Sequence, residues 1–275
     1  MQPLILAVET SSRVGSVAIA LGEKLLAETK FAGPTRHSEE LFPSVCALLD
    51  RFSRKPEQIE HIYISVGPGS FTGLRIAVTM AKTMSLANAA KIVAVDSLDI
   101  IAANVIDLTP QTTIHERQAT SNEKIATILD AKRNQFFIAV YEKKPEEHKC
   151  TSAQDNEQKY DIRYTQYAIP STSNEQQATS NGIWRKILPD SLMTSDEFLN
   201  KFACPDQPIW LLGDGLLYYR DKFKADDTRF FDEQYWSPRA KKVHLLGYQK
   251  ALAGQFANPL TLQPNYLRAP DTTLK

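Results

Sequence analysis

Glycine, hydroxyl and basic side chains are concentrated between Gly67 and Arg75, a composition typical of phosphate-binding loops. The stretch is Gly67-Pro68-Gly69-Ser70-Phe71-Thr72-Gly73-Leu74-Arg75. It lies between a β-branched run at 61–66 and an apolar segment that extends to residue 90, with Thr72 as the predicted N-cap of a helix. Glycine lets a backbone approach a ligand closely, and the first N–H groups of a helix bind anions. The loop therefore either binds a phosphate or forms a tight turn that shapes a contact.

The spacing of the glycines distinguishes this loop from two familiar phosphate motifs. Five residues lie between Gly67 and Gly73 and Leu74-Arg75 follows, whereas a P-loop has four residues and then Lys-Ser or Lys-Thr, so a P-loop is excluded. A dinucleotide fingerprint has the pattern GxGxxG and an acidic residue about 20 positions later. Here the pattern is GxGxxxG and the next predicted strand ends in Asp96, so dinucleotide binding remains an alternative. Against it, the fingerprint normally opens its domain, and here about sixty residues precede the loop.

The elements that position this loop follow the order βββαβαβα. The predicted strands lie at 4–8, 14–21, 24–31, 61–66 and 91–95, and the predicted helices at 38–52, 72–90 and 97–106. This is the order of the ribonuclease-H-like half shared by sugar kinases, actin and Hsp70 ATPase domains, the ASKHA fold. A similar order recurs, with strands at 124–131, 135–142, 160–169 and 208–212 and helices at 195–202 and 238–256. We therefore predict an α/β protein of two ribonuclease-H-like lobes, the second degenerate.

The predicted domains are an N-terminal lobe at 1–108, a polar linker at 109–123, a C-terminal lobe at 124–257 and a tail at 258–275. A second polar insertion occupies residues 143–181 of the C-terminal lobe. Both polar segments are rich in Gln, Ser, Thr, Asn and Glu, which cannot bury enough apolar surface to offset the entropy lost on ordering. We therefore expect both segments at the surface.

Two facing lobes would bring two turns together across a cleft. One turn follows the first strand at Glu9, and the other follows Asp130 in the second lobe. In ASKHA proteins these two turns hold nucleotide phosphates. The candidate phosphate or nucleotide residues are Glu9, Thr10, Ser11, Gly67, Gly69, Ser70, Thr72, Gly73, Arg75 and Asp130. An autonomous ATPase or kinase would also place the turn Gly213-Asp214-Gly215 at the nucleotide, and this function remains an alternative.

Charge and cysteine content limit the classes of protein to which this chain can belong. Its 275 residues include 32 basic and 32 acidic side chains, so strong nonspecific binding of nucleic acid by the chain alone is not expected. No apolar run approaches the length of a membrane span, and the N-terminus lacks the basic start of a signal peptide. Cys46, Cys150 and Cys204 are odd in number and far apart, as is typical of reduced thiols. We therefore expect a cytoplasmic protein without membrane contact.

Several short motifs of this chain resemble those of the TsaB (YeaZ) family, the non-catalytic partner of the TsaD enzyme in bacterial tRNA threonylcarbamoyladenosine synthesis. The motifs are Ile5-Leu6-Ala7-Val8-Glu9-Thr10-Ser11, His37-Ser38-Glu39 before Leu41-Phe42-Pro43, the loop from Gly67 to Arg75, Asp130-Ala131 and Pro264-Asn265-Tyr266-Leu267-Arg268. The resemblance covers 1–105 well and the rest in patches. Family members usually have aspartate where Glu9 stands, which argues against metal-assisted nucleotide chemistry here, and they lack insertions of this length.

The resemblance implies a subunit that supports a catalytic partner and has no active site of its own. The TsaD paralogue of this glycoprotease-like superfamily holds a metal with two histidines at HxxxH spacing. The histidines of this chain form no such pair: His37, His61, His115, His148 and His244. No motif presents a serine or cysteine beside a base either, which argues against peptidase activity.

The resemblance also implies partners. They are a TsaD-like catalytic subunit in a heterodimer, a TsaE-like ATPase and tRNA bound through the complex, with a second copy of the chain as a further partner. No intrinsic cofactor and no metal are expected, and ATP or ADP would bind at the complex with the partner.

Small residues recur every four positions in the helix at 72–90, where Gly73, Ala77, Ala81 and Ser85 form a stripe that permits another helix to approach closely. Pattern alone favours burial of this stripe in its own lobe, whereas the resemblance implies that the helices at 38–52 and 72–90 pack against TsaD. The candidate interface residues are His37, Glu39, Leu41, Val45, Leu74, Ala77, Val78 and Ala81. The sequence leaves open which face turns inward. With the stripe outward, Ala77→Glu is expected to abolish association and leave the lobe folded.

Overall fold

Two five-stranded sheets form the framework of the computed structural model, which describes residues 2–33, 37–106, 123–144, 183–205 and 207–268. The first sheet contains β1 (Leu4–Glu9), β2 (Ser16–Leu21), β3 (Lys24–Lys30), β4 (Ile59–Gly67) and β5 (Lys91–Asp96). Its order is β3-β2-β1-β4-β5, with β2 antiparallel to both of its neighbours and β1, β4 and β5 parallel. Because β1 lies at the centre, it is buried along its whole length, in agreement with its unbroken apolar sequence.

The second sheet repeats this arrangement. Its strands are β6 (Lys124–Asp130), β7 (Phe136–Lys144), β8 (Ile183–Met193), β9 (Ile209–Leu212) and β10 (Thr228–Phe230). The order β8-β7-β6-β9-β10 matches the first sheet strand for strand, which confirms the predicted fold class. The third strand is β8, whereas the strand predicted at 160–169 lies outside the described residues, as do most of both polar insertions. The predicted domain limits stay a prediction.

Six α-helices occur among the described residues. They are α1 (His37–Arg51), α2 (Phe71–Asn88), α3 (Ser97–Ile106), α4 (Ser195–Phe202), α5 (Leu216–Tyr219) and α6 (Ala240–Leu252). α1 continues through Pro43, and α6 is shorter than predicted because the chain turns away at Gly254, whose φ is 71°. In the part of the chain that the structure describes, no helix is long and apolar enough to cross a bilayer.

The prediction that Thr72 caps α2 was wrong. Ser70 is the N-cap, and its hydroxyl accepts a hydrogen bond from the Gly73 N–H at 3.3 Å. Thr72 instead lies in the first turn and is exposed to solvent. The helix therefore begins two residues earlier than the sequence suggested, which makes Phe71 its first residue.

α1 and α2 cover one face of the first sheet. Leu41 and Leu49 of α1 and Ala77 and Ala81 of α2 are almost fully buried against residues such as Ile64 of β4. Apolar side chains at helical spacing supply this contact on both helices. The two helices therefore lie side by side with their opposite faces turned to solvent.

α3 and α6 cover the other face of the first sheet, and α3 also joins the core of the second sheet. In α3, Ile100 packs with the first sheet and Ile101 with the second. α6 follows the second sheet in sequence, yet Val243 and Leu246 pack against the first. Gly247 permits this close approach, because a Cβ there would lie 2.6 Å from the Tyr63 ring. The two halves of the chain thus share one continuous region of apolar packing.

Two polar side chains of the first sheet hold the start of α6. The Ser16 hydroxyl accepts a hydrogen bond from the Ala240 N–H at 2.8 Å, and a Glu28 carboxylate oxygen accepts one from the Lys241 N–H at 3.0 Å. Glu28 also forms an ion pair with Arg239. Residues distant in sequence therefore satisfy backbone donors that a helix N-terminus leaves free.

A buried polar cluster ties α3 to the second sheet. The Asp99 carboxylate accepts hydrogen bonds from the Tyr141 hydroxyl at 2.6 Å and the Lys186 ammonium at 2.7 Å. Lys186 also forms an ion pair with Asp190, which lies four residues further along β8. Burial and the charges of Asp99 and Asp190 raise the pKa of the Tyr141 hydroxyl well above its ordinary value. The cluster is therefore held in one arrangement by several charge-assisted hydrogen bonds.

Candidate functional site

The turn after β1 encloses a carboxyl group that has no contact with solvent. One oxygen of Glu9 accepts hydrogen bonds from the Ser11 N–H at 2.5 Å and the Ser11 hydroxyl at 2.6 Å, and its second oxygen has no partner among the described residues. Burial raises the pKa of Glu9 from 4.5 to about 7, and the nearby charge of Asp214 acts in the same direction. Glu9 is therefore protonated in about half of the molecules near neutral pH, which makes it a poor cation ligand.

The glycine-rich loop lies directly against this turn. A Cβ on Gly73 would lie 1.9 Å from the Thr10 carbonyl oxygen, and one on Gly69 would lie 2.3 Å from the Ser11 carbonyl oxygen. The Ser70 N–H donates a 2.7 Å hydrogen bond to the same Ser11 oxygen, and the Thr10 hydroxyl donates one to the Gly73 carbonyl at 2.8 Å. These glycines are therefore required for contact between two segments of the chain. Phosphate binding by the loop stays a prediction.

The opposing lobe contributes two further carboxylates. Asp130 accepts a 2.7 Å hydrogen bond from the Lys132 N–H and pairs with the Lys132 ammonium at 2.6 Å. Asp214 lies in the turn after β9 and accepts a weak hydrogen bond from the Arg13 N–H at 3.5 Å. Burial raises its pKa to about 6, and the charge of Asp130 adds to this effect. The structure thus brings Glu9, Asp130 and Asp214 from both lobes towards one cleft.

The described residues also bear on metal binding and on the dinucleotide alternative. Among the described residues, no three His, Cys, Asp or Glu side chains are placed so that they could hold a metal ion. Asp96, the acidic residue of the dinucleotide alternative, is largely buried beside Asp99, and both effects raise its pKa. It is therefore enclosed in the protein and not presented to a ribose. Of the three cysteines, Cys46 and Cys204 are exposed and free, and Cys150 lies outside the described residues.

The predicted interface residues of α1 and α2 divide into two groups. Only Glu39 is exposed, whereas the seven other side chains are buried: His37, Leu41, Val45, Leu74, Ala77, Val78 and Ala81. Six of these seven are apolar and belong to the chain's own core. The sequence left open which face turns inward, and the structure packs the small-residue stripe on the sheet. Ala77→Glu would therefore bury a carboxylate in this core, and we now expect it to destabilise the lobe.

His37 links the start of α1 to the turn after β1. Its Nε2 lies 3.0 Å from the Ser12 carbonyl oxygen and donates to it, while its Nδ1 is buried without a partner among the described residues. Burial lowers the pKa of His37 below its ordinary value, so the ring is neutral at physiological pH. Its role in this structure is to pack beside Phe31 and hold the turn.

A groove between α1 and α2 opens on the face opposite the core. It has a volume of about 550 Å³, and its lining is largely apolar or contains threonine. The lining residues are Ser38, Phe42, Phe71, Thr72, Arg75, Ile76, Thr79, Met80, Thr83 and Met84. Phe42 is 55% exposed and Phe71 37% exposed, which is unusual for large apolar side chains on adjacent helices. Arg75 lines this groove as well, so it belongs to the outer face of α2.

Sequence reasoning missed most of these groove residues. The signal was present in α1, where Phe42 lies outside the helical spacing of Leu41, Val45 and Leu48. In α2, Ile76, Met80 and Met84 recur at four-residue spacing beside the predicted stripe. Met80 of this second stripe is buried in the core, and Ile76 and Met84 are partly buried against the same core, so the stripe lies at the border between the core and the groove.

Comparisons with known proteins agree on one family. A family model described as TsaD, tRNA N6-adenosine threonylcarbamoyltransferase, matches residues 32–248. The tRNA threonylcarbamoyladenosine biosynthesis protein TsaB of Bacillus subtilis strain 168 is 25% identical over 98% of this chain and 96% of its own length. The protein of the same name from Buchnera aphidicola subsp. Acyrthosiphon pisum is 24% identical over 51% of this chain and 58% of its own length.

A solved structure supports the fold. YeaZ from Pseudomonas aeruginosa superimposes with a TM-score of 0.67 at 20% sequence identity, covering 96% of this chain and all of the other. The family model spans most of the chain, and the overall fold is shared with YeaZ. The chain therefore belongs to the TsaB (YeaZ) branch of the TsaD family.

Proposed function

We propose that this chain is a non-catalytic subunit that binds and supports a TsaD-like enzyme. That enzyme would transfer a threonylcarbamoyl group to the adenosine next to the anticodon in tRNA. The name of the Bacillus subtilis relative, a tRNA threonylcarbamoyladenosine biosynthesis protein, supports the pathway. The observation that carries the proposal is the groove between α1 and α2, which presents apolar surface on helices whose inner faces are already buried.

The exposed face of α2 favours a protein partner. Leu74, Ala77 and Ala81 are buried on the inner face, whereas Phe42, Phe71 and Thr79 of the groove lining are exposed. Met80 is buried and connects the groove to the core of the lobe. Apolar grooves of this kind bind amphipathic helices, and methionine adapts to the shape of a docking side chain. A helix of the TsaD-like subunit is therefore the proposed occupant of the groove.

The contacts of Glu9, Asp130 and the glycine loop support a non-catalytic role. The glycine loop is occupied by contacts with Thr10 and Ser11, and Asp130 is paired with Lys132. Glu9 is buried, and one of its carboxyl oxygens accepts two hydrogen bonds from Ser11. Groups that would bind phosphates in an active ASKHA enzyme are therefore engaged with the chain itself. ATP or ADP would act at the complex, where a TsaE-like ATPase and tRNA would also bind.

Co-expression with the TsaD-like protein of the same organism tests this function. Thr79→Arg places a bulky cation on the exposed wall of the groove, and Ala87→Arg places the same side chain on α2 outside it. We expect Thr79→Arg to abolish co-elution on size exclusion and Ala87→Arg to retain it. A tRNA modification assay should depend on this chain and lose activity with Thr79→Arg. Normal assembly of Thr79→Arg would refute the docking surface.

The convergence of Glu9, Asp130 and Asp214 keeps one alternative open, an autonomous ATPase or kinase. Such an enzyme should bind Mg-ATP without a partner. Calorimetry on the isolated chain distinguishes the two functions, and we expect no heat of binding. Saturable micromolar binding that is lost in Asp214→Asn would favour the alternative.

A further inference from the structure

Arg75 is the one charged residue among those that line the groove between α1 and α2. Its guanidinium lies 5.2 Å from the centre of the Phe71 ring, and Phe71 also lines the groove. Within the described residues, no carboxylate forms an ion pair with Arg75, and the first turn of α2 contains no acidic residue. A cation thus lies at an apolar docking surface with no ion-pair partner among the described residues.

The Phe71 ring also contacts the C-terminal segment. Its centre lies 5.0 Å from that of Tyr266, so Phe71 packs against both Arg75 and Tyr266, and we refer to these three side chains as the stack. Stacking on an aromatic ring orients a guanidinium and leaves its edge free for a planar acid. The stack therefore restricts Arg75 to few conformations before any partner arrives.

The segment that carries Tyr266 is anchored by contacts on both sides of this residue in the chain. The Asn265 N–H donates a 2.6 Å hydrogen bond to the Val66 carbonyl, and a Cβ on Gly67 would lie 2.7 Å from the Asn265 carbonyl oxygen. On the other side, the Arg268 guanidinium donates a 2.7 Å hydrogen bond to the Ala131 carbonyl of the second lobe. Tyr266 is thus fixed by contacts with both lobes.

We propose that the stack of Arg75, Phe71 and Tyr266 is a preorganised carboxylate-binding position, and that the helix docking in the groove carries an Asp or Glu opposite Arg75. This inference rests on the proposed function and specifies the chemistry of the partner. Arg75 would be the specificity residue, and Phe71 and Tyr266 would be positioning residues. Preorganisation reduces the entropy lost when the ion pair forms, so the stack raises affinity without adding direct contacts.

Charge reversal at Arg75 tests whether this residue pairs with a carboxylate of the partner. Binding to the TsaD-like subunit is measured by calorimetry at two salt concentrations. Arg75→Glu should weaken binding at least about ten-fold, because the new carboxylate would face the carboxylate of the partner helix. The loss should be larger at low salt, where this repulsion is less screened. Lys82→Glu, the same reversal on α2 outside the groove, should change binding less than about two-fold. An Asp→Arg or Glu→Arg change in the partner helix should restore binding to Arg75→Glu. Unchanged binding of Arg75→Glu would overturn the proposal.

A double-mutant cycle between Tyr266 and Arg75 tests whether Tyr266 acts by positioning Arg75. Tyr266→Ala should weaken binding about three-fold or more in the wild type and have no effect when Arg75 is already alanine. Tyr266→Phe keeps the ring and should bind as the wild type does. Equal effects of Tyr266→Ala in both backgrounds would show that Tyr266 acts independently of Arg75 and would overturn its assigned role.

The outcomes separate this inference from the proposed function. If Thr79→Arg assembles normally, the docking surface itself is refuted. If Thr79→Arg blocks assembly while Arg75→Glu does not, only the carboxylate position is refuted. If Arg75→Glu assembles normally but the complex binds tRNA less tightly, the guanidinium binds phosphate, and the proposal is overturned in favour of RNA contact. A change confined to self-association of the free chain would likewise overturn it.

Discussion

Glu9 shows how burial decides the character of a single residue. The sequence presents it as an acidic residue at a phosphate turn, yet the structure encloses it and provides hydrogen bonds for one oxygen only. An ionised carboxylate in such a place loses its hydration without full compensation. This cost favours the protonated form in the folded state.

The pKa of Glu9 leads to a prediction about stability. Because it rises from 4.5 to about 7 on folding, the stability that Glu9 contributes is present below pH 4.5 and is lost as pH rises through 7. Glu9→Gln should therefore be more stable than the wild type at pH 8, by about 3 kcal/mol. The advantage should disappear near pH 4. Urea unfolding across this range checks it, with the exposed Glu57→Gln as control, and a difference that does not vary with pH would contradict the prediction.

Gly73 provides a second prediction at the same turn. Gly73→Ala forces a methyl group against the backbone carbonyl of Thr10, which cannot move without breaking the contact between β1 and α2. We expect a loss of about 3 kcal/mol in the free energy of unfolding. Gly254→Ala is the control, because no atom lies within 4 Å of its Cβ position and only its φ of 71° opposes it, at about 1 kcal/mol. Equal losses in chemical denaturation would argue against the contact.

At the level of elements, α6 shows that a helix can pack against a sheet other than the one that it follows in sequence. It follows the second sheet in sequence, but its apolar face fits the first sheet and its first N–H groups are satisfied by Ser16 and Glu28. The hydrophobic period predicted the helix and could not predict the sheet against which it packs. The sheet against which it packs depends on Ser16 and Glu28, which lie more than two hundred positions away and accept hydrogen bonds from its first N–H groups.

Removing the Glu28 side chain should loosen this docking. Glu28→Ala leaves the Lys241 N–H and the Arg239 guanidinium without their shared acceptor, and we expect a loss of about 2 kcal/mol. Glu23→Ala, at an exposed position in the neighbouring turn, should have almost no effect. Hydrogen exchange should also accelerate in α6 of the Glu28 variant. Unchanged protection there would mean that the apolar face alone holds the helix.

β8 explains why one element escaped the sequence analysis. Its sequence contains Pro189 and three charged residues, Arg185, Lys186 and Asp190, which are unfavourable signals for a strand. In the fold it lies at the edge of the described sheet, where proline is tolerated, and Lys186 and Asp190 enter the polar cluster with Asp99. The element is therefore stabilised by partners that no local pattern could indicate.

For the whole molecule, this cluster and the two shared helices join both lobes. Lys186→Met removes the cation and leaves Asp99, Asp190 and the nearby Asp96 as buried neighbours of like charge. We expect a loss of about 3 to 5 kcal/mol in the free energy of unfolding. Because the packing is continuous, unfolding should remain a single transition in both proteins.

The control for this variant is Lys24→Met, which removes an exposed cation from β3 and should change stability by less than about 0.5 kcal/mol. Tryptophan fluorescence and circular dichroism should give coincident curves. Separate transitions for the two probes would show that the lobes unfold independently and that the cluster does not join them.

The sequence by itself determined the order of elements, the two-lobed fold and the family. These depend on hydrophobic period, turn residues and short motifs, which are local properties of the chain. It also predicted the helices at 38–52 and 72–90, which the structure has at His37–Arg51 and Phe71–Asn88. Only the tertiary structure decided which of their faces is buried, because that depends on contact with the first sheet.

The role of the glycine-rich loop was decided in the same way. Its spacing excluded a P-loop, but the atoms that its glycines approach belong to Thr10, Ser11 and Asn265, segments far away in sequence. The environment of Glu9 and the stack of Arg75, Phe71 and Tyr266 likewise arise from distant parts of the chain. Close approach, burial and counter-charge are properties of three-dimensional neighbours, and a pattern of residue types does not contain them.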